Sequence, residues 1–333
     1  MPKVSLSNLP VSALFGVTKP SGPTSMSIIN DIKQLASQSR LFVEASKLEQ
    51  VKGKKIPKKG KRSREILKIG QGGTLDPLAD GVLVVGIGKG TKKLSEFLDC
   101  TKEYQTTCLL GCETDTYDSE GATVRLAPWR HVTRENVEST LSQFTGEIQQ
   151  TPPIFSALKM DGRPLYEYAR KGIPLPRPIE PRQVTVHSLE LVEWLGNNHS
   201  FRWPEKTMDG DAKQALATAL KSVNEGVSLD DNRELDEGEA PQAFVLKMRV
   251  SGGTYVRSIV HDLAHALGSA GHVATLSRTR QGRFALHSTA EGDYSCVPWE
   301  IFANASSDAG AVDDEGWTEW EREVMQRLEL VGA

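Results

Sequence analysis

Asp76 lies in the segment Gly72-Gly73-Thr74-Leu75-Asp76-Pro77-Leu78-Ala79-Asp80-Gly81, directly before the apolar run Val82-Leu83-Val84-Val85-Gly86-Ile87. A carboxylate on a glycine-flexible loop, locked by the following proline and aimed from the edge of a buried element, is a candidate nucleophile. The same Asp-Pro pair also suits a helix N-cap followed by proline at the first helical position, and by itself it favours that assignment. Three distant places shift the balance. Lys102-Glu103-Tyr104 supplies an aromatic at a strand start, and Ser156-Ala157-Leu158-Lys159 follows a Pro-Pro turn. Gly253-Thr254-Tyr255-Val256-Arg257 sets a Tyr and an Arg two residues apart. Together these are the parts of a site with a carboxylate, an Arg to hold it ionised and aromatic faces to stack a planar base. Enzymes that do chemistry on a nucleobase need such a pocket, because they take the base out of its stack.

Other motifs point to ordinary structure. Gly86-Ile87-Gly88-Lys89-Gly90-Thr91 follows a strand and opens a helix, a setting that suits a phosphate cradle. It is GxGxG rather than GxGxxG, however, and no GxxxxGK[ST] is present, so a glycine-rich turn is expected and nucleotide binding is the lesser alternative. His261-Asp262-Leu263-Ala264-His265 imitates HExxH with Asp in place of the Glu base. The linear pattern shows no third ligand, so ordinary helix histidines and no metal are expected. Asp115, Asp118 and Glu120 miss the EF-hand spacing and read as a hairpin turn. Cys100, Cys108, Cys112 and Cys296 form no CxxC pair and suit reduced thiols of an intracellular protein.

The elements that must carry these residues are legible from periodicity. Residues 14–18 suit a strand, followed by a helix capped by Thr24 or Ser25 with Ile28, Ile29, Ile32 and Leu35 as its apolar stripe. Strands are expected at 82–87, at 103–111 and 121–126 joined by the acidic turn, and at 243–250. Helices are expected near 91–98, 133–144 and 255–267, with an extended proline-rich loop at 172–181. A final helix would set Trp317, Trp320, Val324 and Leu328 on one face.

The chain has 333 residues and a formal net charge of −3, which hides a strong segregation. Residues 52–68 hold nine Lys/Arg and one acid; 205–240 hold ten acids and four bases; 300–333 hold nine acids and two bases. The basic run is the one stripe suited to phosphates, with a solvated loop as the alternative. Residues 40–64 and 205–240 read as insertions. No apolar run reaches the length of a membrane span. The first twenty residues carry neither a secretory h-region nor an Arg, which fits poorly with secretion or a cleavable mitochondrial presequence.

In the order Gly16-Val17-Thr18-Lys19-Pro20-Ser21-Gly22, residues 72–81, Lys102-Glu103-Tyr104, Ser156-Ala157-Leu158-Lys159, Leu165-Tyr166-Glu167-Tyr168-Ala169-Arg170 and residues 253–257, the chain resembles the TruB family of tRNA pseudouridine synthases, in particular its eukaryotic uridine-55 branch. The resemblance implies an α+β pseudouridine synthase fold, with a mixed, largely antiparallel sheet flanked by helices and a central RNA cleft. It places the catalytic domain at 11–300, carrying the two insertions, and leaves 301–333 as an acidic tail too short for the RNA-binding module of bacterial members. It implies uridine isomerisation in the T loop of tRNA, with mRNAs of T-loop-like structure as a further target class and no metal or redox cofactor. By motif, Asp76 is the nucleophile, Tyr104 stacks on the flipped uracil, Arg257 pairs with Asp76, and Tyr255 packs beside the base. Lys19 and Leu276 line the site. Gln71 stands where the family usually has His. A monomer is expected, in the nucleus by virtue of the Lys-rich run and in mitochondria by the habit of the branch. A non-catalytic RNA-binding or tRNA-folding protein on the same fold is the rival reading.

Overall fold

Among the described residues strand β1 (Ala13–Lys19) comes first, and helix α1 (Ser25–Ala36) follows it. The computed structural model describes residues 9–51, 67–171, 173–210, 213, 239–288, 290–308 and 310–332. Thr24 is the N-cap of α1, accepting from the Ser27 amide, and Ile28, Ile29 and Ile32 are buried as the stripe requires. Strands β2 (Ile69–Gln71) and β3 (Asp80–Ile87) come next. The basic run at 52–64 and most of the acidic segment 205–240 lie outside the described residues.

The chain divides into two compact units, Met1–Lys102 with Ser277–Ala333, and Glu103–Leu276. In the first, β1 and β3 pair antiparallel from Ala13↔Ile87 to Lys19↔Gly81. On its other edge β3 takes β2 antiparallel and, at Asp80 and Gly81, the residues Ser277 and Arg278 in parallel. Strand β3 is buried on both faces, which is why its sequence is apolar without alternation. Phe15, Val17, Ile28, Ile32, Leu83 and Val85 pack on one side; Leu14, Val82, Val84, Phe97 and Phe284 pack on the other. The glycine-rich turn after β3 is a 3-10 helix, Gly88–Lys93. A Cβ on Gly90 would lie 2.1 Å from the Ala13 carbonyl oxygen, so close approach of backbones accounts for that glycine.

Residues after 300 belong to the core of this unit. Phe302 from the helix Trp299–Ser307 and Trp317, Trp320 and Val324, around the helix Glu319–Arg327, are buried with Phe15 and Ile32. Thr318 and Glu321 form a capping box, and the Ser39 hydroxyl donates to Glu321 Oε1. Of the acids in this segment, Glu321 is buried in that capping box, while Glu300, Glu319 and the run Asp313-Asp314-Glu315 are exposed.

The second unit contains β4 (Lys102–Leu110) from Glu103 on, β5 (Cys112–Thr114), β6 (Thr123–Leu126), β7 (Gly146–Gln150), β8 (Arg182–Gly196), β9 (Ala243–Val250), helix α2 (Val256–Ala266) and the first part of β10 (Gly271–Gln281). Its sheet runs β10-β4-β9-β8-β7, with β7, β8 and β9 antiparallel. The strand expected over 103–111 ends at Gly111, where φ is +87°. The acidic turn accordingly closes a separate two-stranded hairpin, β5 with β6, instead of joining two strands of the main sheet. The acidic insertion also begins later than residue 205: Thr123 donates to the Lys206 carbonyl and accepts from the Met208 amide. A mixed sheet with flanking helices is the α+β class that the sequence implies.

Trp320 is 5% exposed and its ring lies 6.5 Å from Phe42 and 6.1 Å from Phe302. Replacing it by Ala is expected to lower stability by about 3–5 kcal/mol. Urea unfolding followed by circular dichroism checks this; a change near zero would place residues after 300 outside the cooperative core.

Candidate functional site

Asp76 sits in the loop between β2 and β3 and is half-buried. A loop carried partly inside a protein must have its peptide groups satisfied. Side chains from the same unit do this. Lys19, fully buried at the end of β1, donates from Nζ to the carbonyls of Pro77 (3.1 Å), Ala79 (2.6 Å) and Pro20 (2.8 Å). Ser25 Oγ donates to the Leu75 carbonyl at 2.8 Å and accepts from the Leu75 amide at 2.9 Å, so both peptide groups of the residue before Asp76 are held. Thr24 does the capping of α1, which leaves the Ser25 hydroxyl for this task. Arg278, 1% exposed, donates to the carbonyls of Val82 (2.8 Å), Gly73 (3.3 Å) and Thr74 (3.5 Å). Gln281 Nε2 donates to the Gly72 carbonyl and, at 2.9 Å, to that of Phe97.

The loop enters β3 through Gly81, whose φ is +102° and whose Cβ position lies 2.3 Å from the Arg278 carbonyl oxygen. Only glycine meets both conditions. Pro77 does not start a helix: the Ala79 amide bonds to the Asp76 carbonyl in a tight turn that runs straight into β3. The Asp-Pro pair is thus a turn and not an α-helical cap. Gln71 closes β2, and its Nε2 donates to Thr74 Oγ1 at 3.1 Å, inside the same loop. Its Oε1 is buried with no hydrogen-bond partner among the described residues, an acceptor that sequence reasoning did not foresee.

Tyr104, Leu276, Tyr255 and Arg257 fall in the second unit. Tyr104 and Leu276 are each 7% exposed, on β4 and β10. Tyr255 is the residue before α2, and Gln150 at the end of β7 brackets its backbone, accepting from the amide at 2.8 Å and donating to the carbonyl at 3.0 Å. Arg257, 4% exposed in the first turn of α2, donates to the carbonyls of Thr116 and, at 3.0 Å, of Phe155. Its Nε lies 3.7 Å from Asp118 Oδ2, and Asp118 is as buried as the Arg. The acidic turn is therefore more than a hairpin connection. Thr116 Oγ1 and the Glu120 amide both donate to Asp118 Oδ1, while the Ser119 amide reaches the Val273 carbonyl on β10. Asp118 and Gln150 are positioning residues without a motif of their own in the linear sequence.

The two histidines of α2 have a partner that the spacing alone did not show. Glu113 on β5 accepts from His261 Nε2 (3.2 Å, at Oε1) and from His265 Nε2 (2.9 Å, at Oε2). Arg125 Nε of β6 donates to Glu113 Oε2 at 3.2 Å. Burial by itself would raise the Glu113 carboxyl, but the bonds from both histidines hold it well below its usual range. Burial likewise disfavours the His261 imidazolium, yet bonds to Asp262 and Glu113 outweigh it and push the group up to about 9. The His261 ring stacks on Tyr117 with centroids 3.9 Å apart.

A chain with this sheet and this aspartate loop matches the sequence profile of the TruB family pseudouridylate synthase (N terminal domain) over residues 61–207. It is 36% identical over 342 residues to tRNA pseudouridine synthase 4 of Schizosaccharomyces pombe, covering 87% of this chain and 82% of that protein. Pseudouridylate synthase TRUB1 of Mus musculus is 37% identical, covering 83% of this chain and 64% of the mouse protein. Among solved structures, a chain in the crystal structure of a Cbf5-Nop10-Gar1 complex aligns with a TM-score of 0.51 at 20% identity, over 96% of this chain and 60% of that one. The fold is that of the pseudouridine synthases. The chain belongs to the TruB family.

Lys19→Met removes the ammonium from buried carbonyls and keeps the apolar stem. Leaving these acceptors unsatisfied is expected to cost about 2–3 kcal/mol. Turnover should fall at least about tenfold through displacement of Asp76, with RNA affinity unchanged. Urea unfolding, single-turnover kinetics and filter binding read the three quantities; a variant of wild-type turnover would deny Lys19 its positioning role.

Proposed function

We propose that the chain isomerises uridine to pseudouridine in the T loop of tRNA, at position 55, using Asp76 as nucleophile. The observation that carries this is the aspartate loop, with its carboxylate half-buried and its backbone held by Lys19, Ser25, Arg278 and Gln281, in a member of the TruB family. The names of the relatives, tRNA pseudouridine synthase 4 among them, supply the substrate class. The reaction breaks the C1′–N1 bond, turns the base and forms C1′–C5. N1 gains a proton and C5 loses one, so no redox equivalent is consumed. Covalent catalysis by a carboxylate splits this exchange into two easier steps. The target uridine must leave its stack, and the energy of unstacking is recovered against apolar and aromatic surface.

Tyr104 is the proposed stacking partner of the extruded uracil and Tyr255 its neighbour, with Leu276 lining the site. Arg257 is the proposed counter-ion that keeps Asp76 ionised, a charge it shares with Asp118, 3.7 Å from its Nε. Gln71 hydrogen-bonds to Thr74 where His is usual in the family. mRNAs that fold like a T loop form a second proposed target class. The enzyme is proposed to act as a monomer, in the nucleus and in mitochondria.

Asp76→Asn is expected to abolish pseudouridine formation in a T-stem-loop RNA, a loss of several decades in single-turnover rate, while binding of that RNA persists. Substantial residual turnover would remove Asp76 from the nucleophile role. A wild-type protein that binds the RNA and forms no pseudouridine would establish the non-catalytic rival.

The basic run at 52–64 is proposed to contact phosphates. Deleting it should weaken tRNA binding and flatten the slope of log K against log salt, each lost phosphate contact taking about 0.7–0.9 from the slope. An unchanged slope would return the run to a role in import or solubility.

A further inference from the structure

Among the described residues outside the proposed catalytic constellation, the most concentrated set of unused chemistry is Glu113, His261 and His265. Their ligand atoms, one from each side chain, all lie within 4.8 Å of one another. The two imidazoles come from successive turns of α2, and the carboxylate comes from β5 of the hairpin. We propose that these three side chains form a zinc-binding site that clips the β5–β6 hairpin to α2.

Three features beyond residue type support a cation. Glu113 Oε1, the oxygen that Arg125 Nε does not engage, lies 3.2 Å from His261 Nε2. Ligands about 2.0–2.1 Å from a tetrahedral ion lie roughly 3.3 Å apart, the spacing that this pair already has. The outer partners are in place as well. His261 Nδ1 lies 2.8 Å from Asp262 Oδ1, the carboxylate–histidine arrangement that fixes a metal-ligating ring with Nε2 toward the ion. Arg125 Nε engages Glu113 Oε2, which leaves Oε1, the oxygen facing His261, to bind metal. The plane of His261 is set further by its stack on Tyr117. Two imidazoles and one carboxylate suit zinc, and binding would take His265 Nε2 from Arg125 Nη2, which lies 3.1 Å from it.

The consequence concerns the ends of α2 and the hairpin. Arg257 stands one turn before His261 on α2, and its guanidinium bonds to Thr116, between Glu113 and Asp118. Zinc across Glu113, His261 and His265 would fix the segment that carries Thr116 and Asp118 against the helix that carries Arg257. This is a positioning and stabilising role, independent of whether the chain is an isomerase.

The test uses untagged full-length protein, stripped with chelator and titrated with zinc alone. One equivalent is expected to bind, raising the melting temperature, and cobalt in its place should give the visible absorption of a low-coordinate N/O site. Asp262→Asn should weaken binding about 10–100-fold. Glu113→Gln and the double variant His261→Gln/His265→Gln should lose both the uptake and the zinc-dependent rise, with circular dichroism confirming that they fold. No uptake by the wild type would overturn the proposal and leave a metal-free ion-pair network. So would uptake that the double variant retains, which would mark binding elsewhere on the chain.

Discussion

Eight residues of irregular backbone can be held at the edge of a core only if their carbonyls are hydrogen-bonded, and in the loop 72–79, between β2 and β3, that requirement falls largely on side chains rather than on a sheet. Lys19 is the centre of the solution. An ammonium with no exposure to water is costly to bury, and the carbonyls of Pro20, Pro77 and Ala79 replace its hydration. In return the ion fixes the chain immediately after Asp76, as Ser25 fixes it immediately before. Arg278 and Gln281 secure the start of the loop and its entry to β3 from a different strand. The carboxylate is therefore presented by a backbone gripped on both sides, which is what covalent catalysis asks of a nucleophile that must hold its direction as charge moves.

The second unit repeats the device with Arg257. Its guanidinium meets two main-chain carbonyls and the carboxylate of buried Asp118, while Gln150 secures the peptide of Tyr255 two residues earlier. In both units the side chains proposed to do chemistry are few, and the side chains that hold their backbones outnumber them. Substitutions at the holders should therefore change turnover without touching a reacting atom.

The sequence made the contiguous features readable. The unalternating run at 82–87 announced a strand buried on both faces, the stripe Ile28, Ile29, Ile32 announced α1, and the loop around Asp76 stood out because its glycines, aspartates and proline are adjacent. What stayed hidden was set by tertiary contact. Gln150 and Tyr255 are 105 residues apart, and Glu113 and His261 are 148 apart, so neither pair leaves a local pattern. Thr24 and Ser25 looked equivalent as caps, and only the position of Leu75 separates their tasks. The Asp-Pro pair misled as a helix cap because Asp and Pro favour turns and helix starts for the same conformational reasons. The acidic turn looked like a plain hairpin because the burial of Asp118 depends on β10 and α2, far along the chain.

The most direct measurement is the crystal structure of the Asp76→Asn protein with a T-stem-loop RNA. The extruded uridine is expected to stack on Tyr104, with the residue 76 side chain about 3–3.5 Å from the reacting carbon of the base or sugar and the loop backbone unchanged. A uridine bound elsewhere, or another carboxylate at that distance, would contradict this.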